Sequence, residues 1–334
     1  MLTIAVTGPT GEIGRSFISA LERAPEVERV IGMARRPFDL GAQGWEKTEY
    51  RRGDILDRDA VEALVADADV VVHLAFVIVA GRGESREINL TGSRNVFEAA
   101  AAAGTKRLVY TSSVAAYGFD RSLPTSLTED LPVRGADRHP YSADKAEVES
   151  VLREALLGSA TDAYVFRPCI VAGPGAPLLL ELVPLLSVGQ RLPGPVRWAL
   201  GKAPSLRPVL PDPGVPFQLV HHDDVAAALC AAVLGHGEPG VYNLAGPGQL
   251  TVSDLADELG WHSVPAPQLA VGAAAEAMAP FLPYLPAEAA WIETVRRPLL
   301  MDSSRARRKL HWMPHHDARE TLRETIAAVR AKGA

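Results

Sequence analysis

Cysteine is scarce: there are two in 334 residues, Cys169 and Cys230, far apart in sequence. That excludes a disulfide-stapled scaffold and fits a reducing compartment. A run of one charge is also missing. Lys plus Arg number 34 against 40 Asp plus Glu, a net charge of −6. A chain that binds nucleic acid by neutralising phosphates is usually basic, so no nucleic-acid partner is expected. The densest basic stretch, Arg305, Arg307, Arg308 and Lys309, reads as a solvated helix face. No apolar run reaches the roughly 20 residues of a membrane span. The opening Met1-Leu2-Thr3-Ile4-Ala5-Val6 carries no basic leader, so a cytoplasmic protein without membrane contact is expected. Proline is sparse in one half only. Seven of 26 lie up to Ile170, ten between Val171 and Val220, and eight between His221 and Leu300. Proline fixes φ and lacks an N–H, so the first half should be regular and the second interrupted.

Hydrophobic residues make up 47% and charged residues 22%, enough for a large core. Leu2–Val6, Arg29–Ala34, a stretch ending near Asp54, Val70–Ala75, Arg107–Ser112 and Ala163–Arg167 read as strands. Helical patterns separate them: after Gly14 to about Glu26, Ala60–Ala66, Arg86–Ala103 and Tyr141–Leu157. Strands apolar on both faces that alternate with helices predict a parallel sheet covered on each side, an α/β doubly wound fold. Beyond Gly173 only scattered pieces are expected: helices at Leu178–Val188, Asp223–Leu234, Thr251–Leu259 and Asp317–Lys332, a strand at Gly240–Asn243, and a helix-like Ala273–Ala275.

The first strand runs into Gly8-Pro9-Thr10-Gly11-Glu12-Ile13-Gly14. Glycines at this spacing between a strand and a helix permit a tight turn and close approach of a pyrophosphate, with helix N–H groups free to bind it. A plain turn is the other reading of three glycines alone. An acid at the end of the second strand would bind a ribose 2′-hydroxyl, whereas arginine accommodates a 2′-phosphate. The sequence there is Gly32-Met33-Ala34-Arg35-Arg36-Pro37, which predicts NADP(H) through Arg35, with Arg36 beside it. Two exposed surface arginines are the alternative, and NAD(H) remains open. Asp54 and Ile55 are placed to border the adenine, a surface turn being the plainer reading of Asp54.

Tyr141 and Lys145 stand four apart, on one face of a predicted helix. A free tyrosine has a pKa of about 10, too high for base chemistry near neutrality, and a neighbouring ammonium lowers it. Thr111, Ser112 and Ser113 end a buried strand with hydroxyls, where open parallel sheets bind ligands. Ser113 could orient a carbonyl oxygen there, although turn capping would also explain it.

Together the glycine turn, Ser113 and the Tyr141/Lys145 pair resemble the extended short-chain dehydrogenase/reductase family, of the NAD-dependent epimerase/dehydratase type. His73-Leu74-Ala75, Asn89 within Ile88–Asn95, Arg167-Pro168 with Gly173-Pro174-Gly175, Val220–Val225 and Asp302–Pro314 match its further landmarks in order. The resemblance implies a Rossmann fold over 1–172 and a smaller, proline-rich substrate-binding part over 173–334, with about 217–245 returning to the first. It implies Tyr141 as general acid/base and a cofactor contact, Lys145 as its support and the holder of the nicotinamide ribose, and Ser113 as the residue that orients the reacting oxygen. Leu74, Ala75, Asn89, Thr111, Ser112, Pro168 and Ile170 would line the cofactor, with Asn89 and Asp224 in supporting roles. The run His221-His222-Asp223-Asp224 is read as no metal site, because adjacent histidines should diverge and an Asp should cap the following helix. Members of the family often pair through the helices of Asn89 and Tyr141, which implies a homodimer.

Departures narrow the chemistry. Val114-Ala115 follow Ser113 where a sugar dehydratase needs an acid/base pair. Ile170 stands three residues after Arg167, where many nucleotide-sugar epimerases carry an Asn for the diphosphate. The stretch Leu178–Pro216 offers Leu, Val, Trp198 and Pro, with Arg191, Arg197, Lys202 and Arg207 scattered among them. An apolar cover over a pocket is expected, with ordinary packing as the alternative. The expected function is an oxidoreductase that transfers hydride at a carbonyl or secondary alcohol of a fairly apolar small molecule. A nucleotide-sugar epimerase with tightly held NAD, and a non-catalytic NADP-binding redox sensor, are the alternatives.

Overall fold

The computed structural model describes residues 1–78, 82–120, 122–136, 139–177, 180, 207–267 and 298–332. The chain runs β1 (Leu2–Thr7), α1 (Glu12–Arg23), β2 (Val27–Ala34), β3 (Thr48–Arg52), α2 (Arg58–Val65), β4 (Val70–His73), α3 (Arg82–Glu87), α4 (Ser93–Ala102) and β5 (Arg107–Thr111). It continues through β6 (Ser126–Leu127), α5 (Pro140–Ala155), β7 (Asp162–Pro168), β8 (Ile170–Ala172), β9 (Val209–Asp212), β10 (Leu219–His221) and α6 (His222–Val233). Last come β11 (Gly240–Leu244), α7 (Val252–Leu259), β12 (His262–Pro265), β13 (Leu300–Met301), α8 (Ser304–Lys309) and α9 (Ala318–Lys332). Seven strands form one parallel sheet in the order β3-β2-β1-β4-β5-β7-β11.

The two-residue period of a strand divides the interior into two cores. Ile4, Val6, Val70, Val72, Val109, Tyr164 and Phe166 face one side, where Phe17, Ile18 and Leu21 of α1 and Val225, Leu229 and Val233 of α6 cover them. Ala5, Val71, Leu108, Tyr110 and Val165 face the other, against α2, Val96 and Phe97 of α4, and Val148, Val151 and Leu152 of α5. Hence the strands read as unbroken apolar runs. A third cluster, Ala172, Leu219, Leu250, Leu255, Leu322 and Ile326, joins β8 and β10 to α7 and α9.

Several boundaries differ from the sequence reading, each for a local reason. The fourth strand ends at His73, two residues early, because the chain must then leave the sheet past Gly8. The continuous helix expected over Arg86–Ala103 is broken. A π turn over Ile88–Gly92 separates α3 from α4 and brings Asn89 inward, with 1% of its surface exposed. Helix α6 is capped by His221, not by an Asp: the ring accepts the Asp223 N–H at 3.2 Å. The expected helix at 178–188 (Leu180 apart), the cover through Trp198 with Arg191, Arg197 and Lys202, and the helix-like 273–275 lie outside the described residues.

Candidate active site

All seven strands are parallel, so their C-terminal ends share one edge, and the chain order reverses between β1 and β4. That is where open α/β sheets bind ligands. The glycine turn there is packed too tightly for side chains at Gly8 and Gly14. Gly8 has φ +74°, and a Cβ there would lie 2.7 Å from the Ala75 nitrogen. A Cβ on Gly14 would come within 2.4 Å of the Gly8 carbonyl oxygen. Gly11 is the N-cap of α1 and, having no side chain, supplies no side-chain cap to the helix that opens at Glu12. Thr10 turns its carbonyl to the Arg15 guanidinium at 3.0 Å.

At the end of β2, Arg35 and Arg36 are both exposed. The Arg35 carbonyl accepts from Arg52 at 3.2 Å, and the Arg36 carbonyl accepts from the Tyr50 hydroxyl, so their backbones are fixed while their guanidinium groups face outward. The Asp54 carboxylate accepts the Leu56 N–H at 3.0 Å and closes a turn. That turn buries Ile55 against Gly92, where a Cβ would lie 2.4 Å from the Ile55 side chain. Asn95, which the sequence reading assigned no role, donates to the carbonyls of Ile55 at 2.9 Å and Leu56 at 3.3 Å. An Asn inside a helix is a poor helix former, and that was the available signal.

The catalytic candidates converge. Ser113 ends the β5 segment and caps the short turn Val114–Tyr117, accepting the Ala115 N–H at 3.2 Å. Helix α5 begins at Pro140, whose φ suits the first helical position, capped by His139. Tyr141 follows at once and shares a hydrogen bond with Ser113, which lowers its pKa; burial raises it more, so the phenol stays above the ordinary value of 10.0. The expected lowering by Lys145 does not prevail. Lys145 instead donates to the Thr111 carbonyl at 2.9 Å and the Tyr110 hydroxyl at 3.4 Å. It is buried, and burial pulls its pKa from 10.5 to about 7 against the carboxylates of Glu149 and Asp144. That drop is worth roughly 5 kcal/mol at about 1.36 kcal/mol per tenfold. The Phe76 ring lies 3.7 Å from the Lys145 nitrogen, and a desolvated cation–π contact returns only about 2 kcal/mol, so dehydration wins.

Beneath these residues is a buried polar layer centred on Glu149, which the sequence reading missed. The Glu149 carboxylate accepts from Arg167 at 2.9 and 2.7 Å and from the Ser112 hydroxyl at 2.6 Å. Arg167 stacks over Tyr117 at 4.6 Å, and the Tyr117 hydroxyl donates to Asn243 at 2.8 Å. Glu149 continues the four-residue spacing Tyr141, Lys145, Glu149 on one helix face, a visible signal. Asn89 accepts the Val77 N–H at 2.9 Å and donates to the Val77 carbonyl at 3.1 Å and to Asp144 at 3.2 Å. Thr111 Oγ1, at the end of β5, is buried without a hydrogen-bond partner among the described residues. Leu74 and Ala75 follow β4 at the same edge, Pro168 ends β7, and Ile170 sits half-buried in β8, packed on the third core cluster. Asp224 supports the far loop: its carboxylate accepts the backbone N–H groups of His315 at 2.8 Å and His316 at 3.1 Å.

His73 is structural. Its two ring nitrogens meet the hydroxyls of Thr7 at 2.7 Å and Ser93 at 2.9 Å. Burial, reinforced by Lys145, holds its pKa at about 3. The unfolded chain, with an ordinary value of 6.5, then binds the proton more readily than the fold does. Stability present above pH 6.5 is therefore lost as pH falls towards 3. Thermal melts across that range should show a steep fall, and His73→Asn should flatten it.

His221 and His222 do not diverge as expected; their rings stack at 4.3 Å, and His221 also stacks on His316 at 3.8 Å. His221, His316 and Glu324 bring potential ligand atoms within 4.8 Å of one another.

Compared with known proteins, the chain matches the model of the "NAD dependent epimerase/dehydratase family" over residues 4–245. It is 29% identical over 333 residues to an uncharacterised protein of Mycobacterium tuberculosis, covering 99% of this chain and 30% of that one. The chain thus spans less than a third of that relative's length. It is 33% identical over 174 residues to human 3 beta-hydroxysteroid dehydrogenase type 7, covering 46% of this chain and 44% of that protein. The crystal structure of the Bordetella bronchiseptica enzyme WbmH in complex with NAD+ superposes with TM-score 0.72 at 21% identity, covering 99% of each chain.

Proposed function

The chain belongs to the NAD-dependent epimerase/dehydratase family, and from that premise we propose that it is an NADP(H)-preferring oxidoreductase acting at a carbonyl or secondary alcohol of a fairly apolar small molecule. The observation that carries this reading is the convergence of Ser113, Tyr141 and Lys145 beside Phe76 at the ligand-binding edge of the sheet. The glycine turn, the α1 N-terminus and the Thr111 hydroxyl, which has no hydrogen-bond partner among the described residues, fit a dinucleotide. Gly8, Gly11 and the first turn of α1 would hold its pyrophosphate, Ile55 would border its adenine, and Lys145 would hold its nicotinamide ribose. Bound there, a nicotinamide supplies or accepts hydride at the substrate carbon.

The remaining work falls to the side chains. Ser113 donates to the substrate oxygen and fixes its direction towards Tyr141. Tyr141 gives a proton to that oxygen in reduction and takes one from the hydroxyl in oxidation. Its raised pKa favours the protonated phenol near neutrality, which suits the donor role. The apolar character of the substrate is supported by Phe76 at the reacting pair, by Ile170, and by the partial match to a hydroxysteroid dehydrogenase.

The cofactor preference rests on Arg35. A hydrogen bond to a charged group contributes about 1.5–3 kcal/mol, so Arg35→Ala should weaken NADPH binding by roughly tenfold to a hundredfold and leave NADH binding nearly unchanged. Fluorescence titration with both cofactors measures this, and NADH bound far more tightly by the unaltered protein would refute the preference. Copurifying NAD together with thermal stabilisation by UDP-sugars would instead support the epimerase alternative.

A further inference from the structure

The loop after β4 places one aromatic ring against both members of the reacting pair. Phe76 lies 3.7 Å from the Lys145 nitrogen and meets the Tyr141 ring edge-on, with centroids 5.6 Å apart. The ring is not there by chance of a loose loop, because the next residue is clamped. Asn89, turned inward by the π turn, binds both the N–H and the carbonyl of Val77.

We propose that Phe76 is a positioning residue: its ring is the wall that keeps water from the Lys145 ammonium and so sets how readily the Tyr141–Lys145 pair loses its cationic member. The inference rests on the reading of Tyr141 and Lys145 as the reacting pair and deepens it. Among the described residues, three elements supply the other groups that face Lys145. Its own helix contributes Tyr141, Asp144 and Glu149, and Asp144 is neutralised in part by Arg86 at 3.0 Å. Strand β5 contributes the Tyr110 hydroxyl and the Thr111 carbonyl. Strand β4 contributes His73, held neutral by its low pKa of about 3. The two carboxylates pull towards the charged form, yet the pKa lies at about 7, so dehydration dominates. Phe76 is the apolar side chain whose ring sits closest over the nitrogen, ahead of Tyr110 at 5.1 Å and Tyr141 at 5.9 Å. A dry apolar wall at this point also disfavours a substrate that carries hydroxyls next to its reacting carbon, since those would lose water without a partner.

The test needs no substrate. Protein labelled with 13C at the lysine ε-carbons is titrated by NMR, with the Lys145 signal assigned by its loss in Lys145→Arg. The unaltered protein should titrate near 7. Phe76→Ala admits water and should move Lys145 towards its ordinary value, weakening it as an acid by at least about tenfold. Phe76→Leu keeps the site dry without the ring and should stay within about threefold of the original. If Phe76→Ala does not fold, Phe76→Gln keeps bulk and brings a hydrated head, with the same expected rise. A folded Phe76→Ala or Phe76→Gln protein that still titrates near 7 overturns the proposal, as does a Phe76→Leu protein that shifts as far as Phe76→Ala. Because the readout is Lys145 itself, a protein that turns over no ketone would sink the proposed reaction while leaving this result decisive. Where turnover is seen, the alkaline fall of kcat in reduction should move to higher pH in Phe76→Ala.

Discussion

Tyr141→Phe should lower turnover by roughly 10² to 10⁴, the range that a positioned acid/base group contributes. The substitution removes one hydroxyl and keeps the ring, so the edge-on contact with Phe76 and the start of α5 survive. Ser113 then loses its partner at Tyr141 but keeps its bond to the Ala115 N–H. Cofactor binding should change little, because the cradle at Gly8, Gly11 and Gly14 lies on another element. Loss of kcat with retained cofactor affinity is the signature of a group that acts in the transition state. A Tyr141→Phe protein with full turnover would remove Tyr141 from the chemistry.

The second large effect is on stability. Glu149→Ala should cost roughly 3–5 kcal/mol, as expected when one partner of a buried ion pair is taken away. Glu149 and Arg167 are 3% exposed each, and the carboxylate answers Arg167 twice and Ser112 once. Without it the guanidinium keeps its charge in a dry site, with one nitrogen, Nη1, already lacking a partner among the described residues. Equilibrium urea unfolding measures the loss. An unchanged midpoint would show that water reaches the site and that the pair contributes nothing. A Glu149→Leu, Arg167→Leu double substitution should recover most of the loss, since it removes both charges together.

The fold was largely legible in the sequence because two periodicities agreed. Runs such as Val70–Val72 are apolar on both faces, which only a sheet covered twice explains, and the intervening helices are apolar on one face. What the sequence hid was irregular backbone. Asn89, Thr91 and Gly92 are weak helix formers, but residue type alone does not locate the π turn over Ile88–Gly92 that carries Asn89 to the Val77 backbone. The cap of α6 was misread because Asp223 and Asp224 are the usual capping type, while the ring of His221 does the capping.

The candidate site was legible wherever residue type and spacing suffice: the glycine triplet, Ser113, and Tyr141 with Lys145. The groups that set their environment were not, because they act across the sequence. Phe76 reaches Lys145 from a loop 69 residues away, and Arg167 reaches Glu149 from β7. Charge states depend on such contacts. Four-residue spacing suggested a lysine that lowers the tyrosine pKa, whereas burial raises Tyr141 and brings Lys145 down to about 7.

The most direct test follows the hydride. NADPH carrying deuterium at the nicotinamide C4 is incubated with the protein and a panel of cyclic and steroidal ketones, with UDP-hexoses in parallel, and the products are weighed by mass spectrometry. Deuterium should appear on the carbinol carbon of a ketone product, and Tyr141→Phe should abolish it. Inversion of a UDP-hexose, with no label in any alcohol of the panel, would contradict the account.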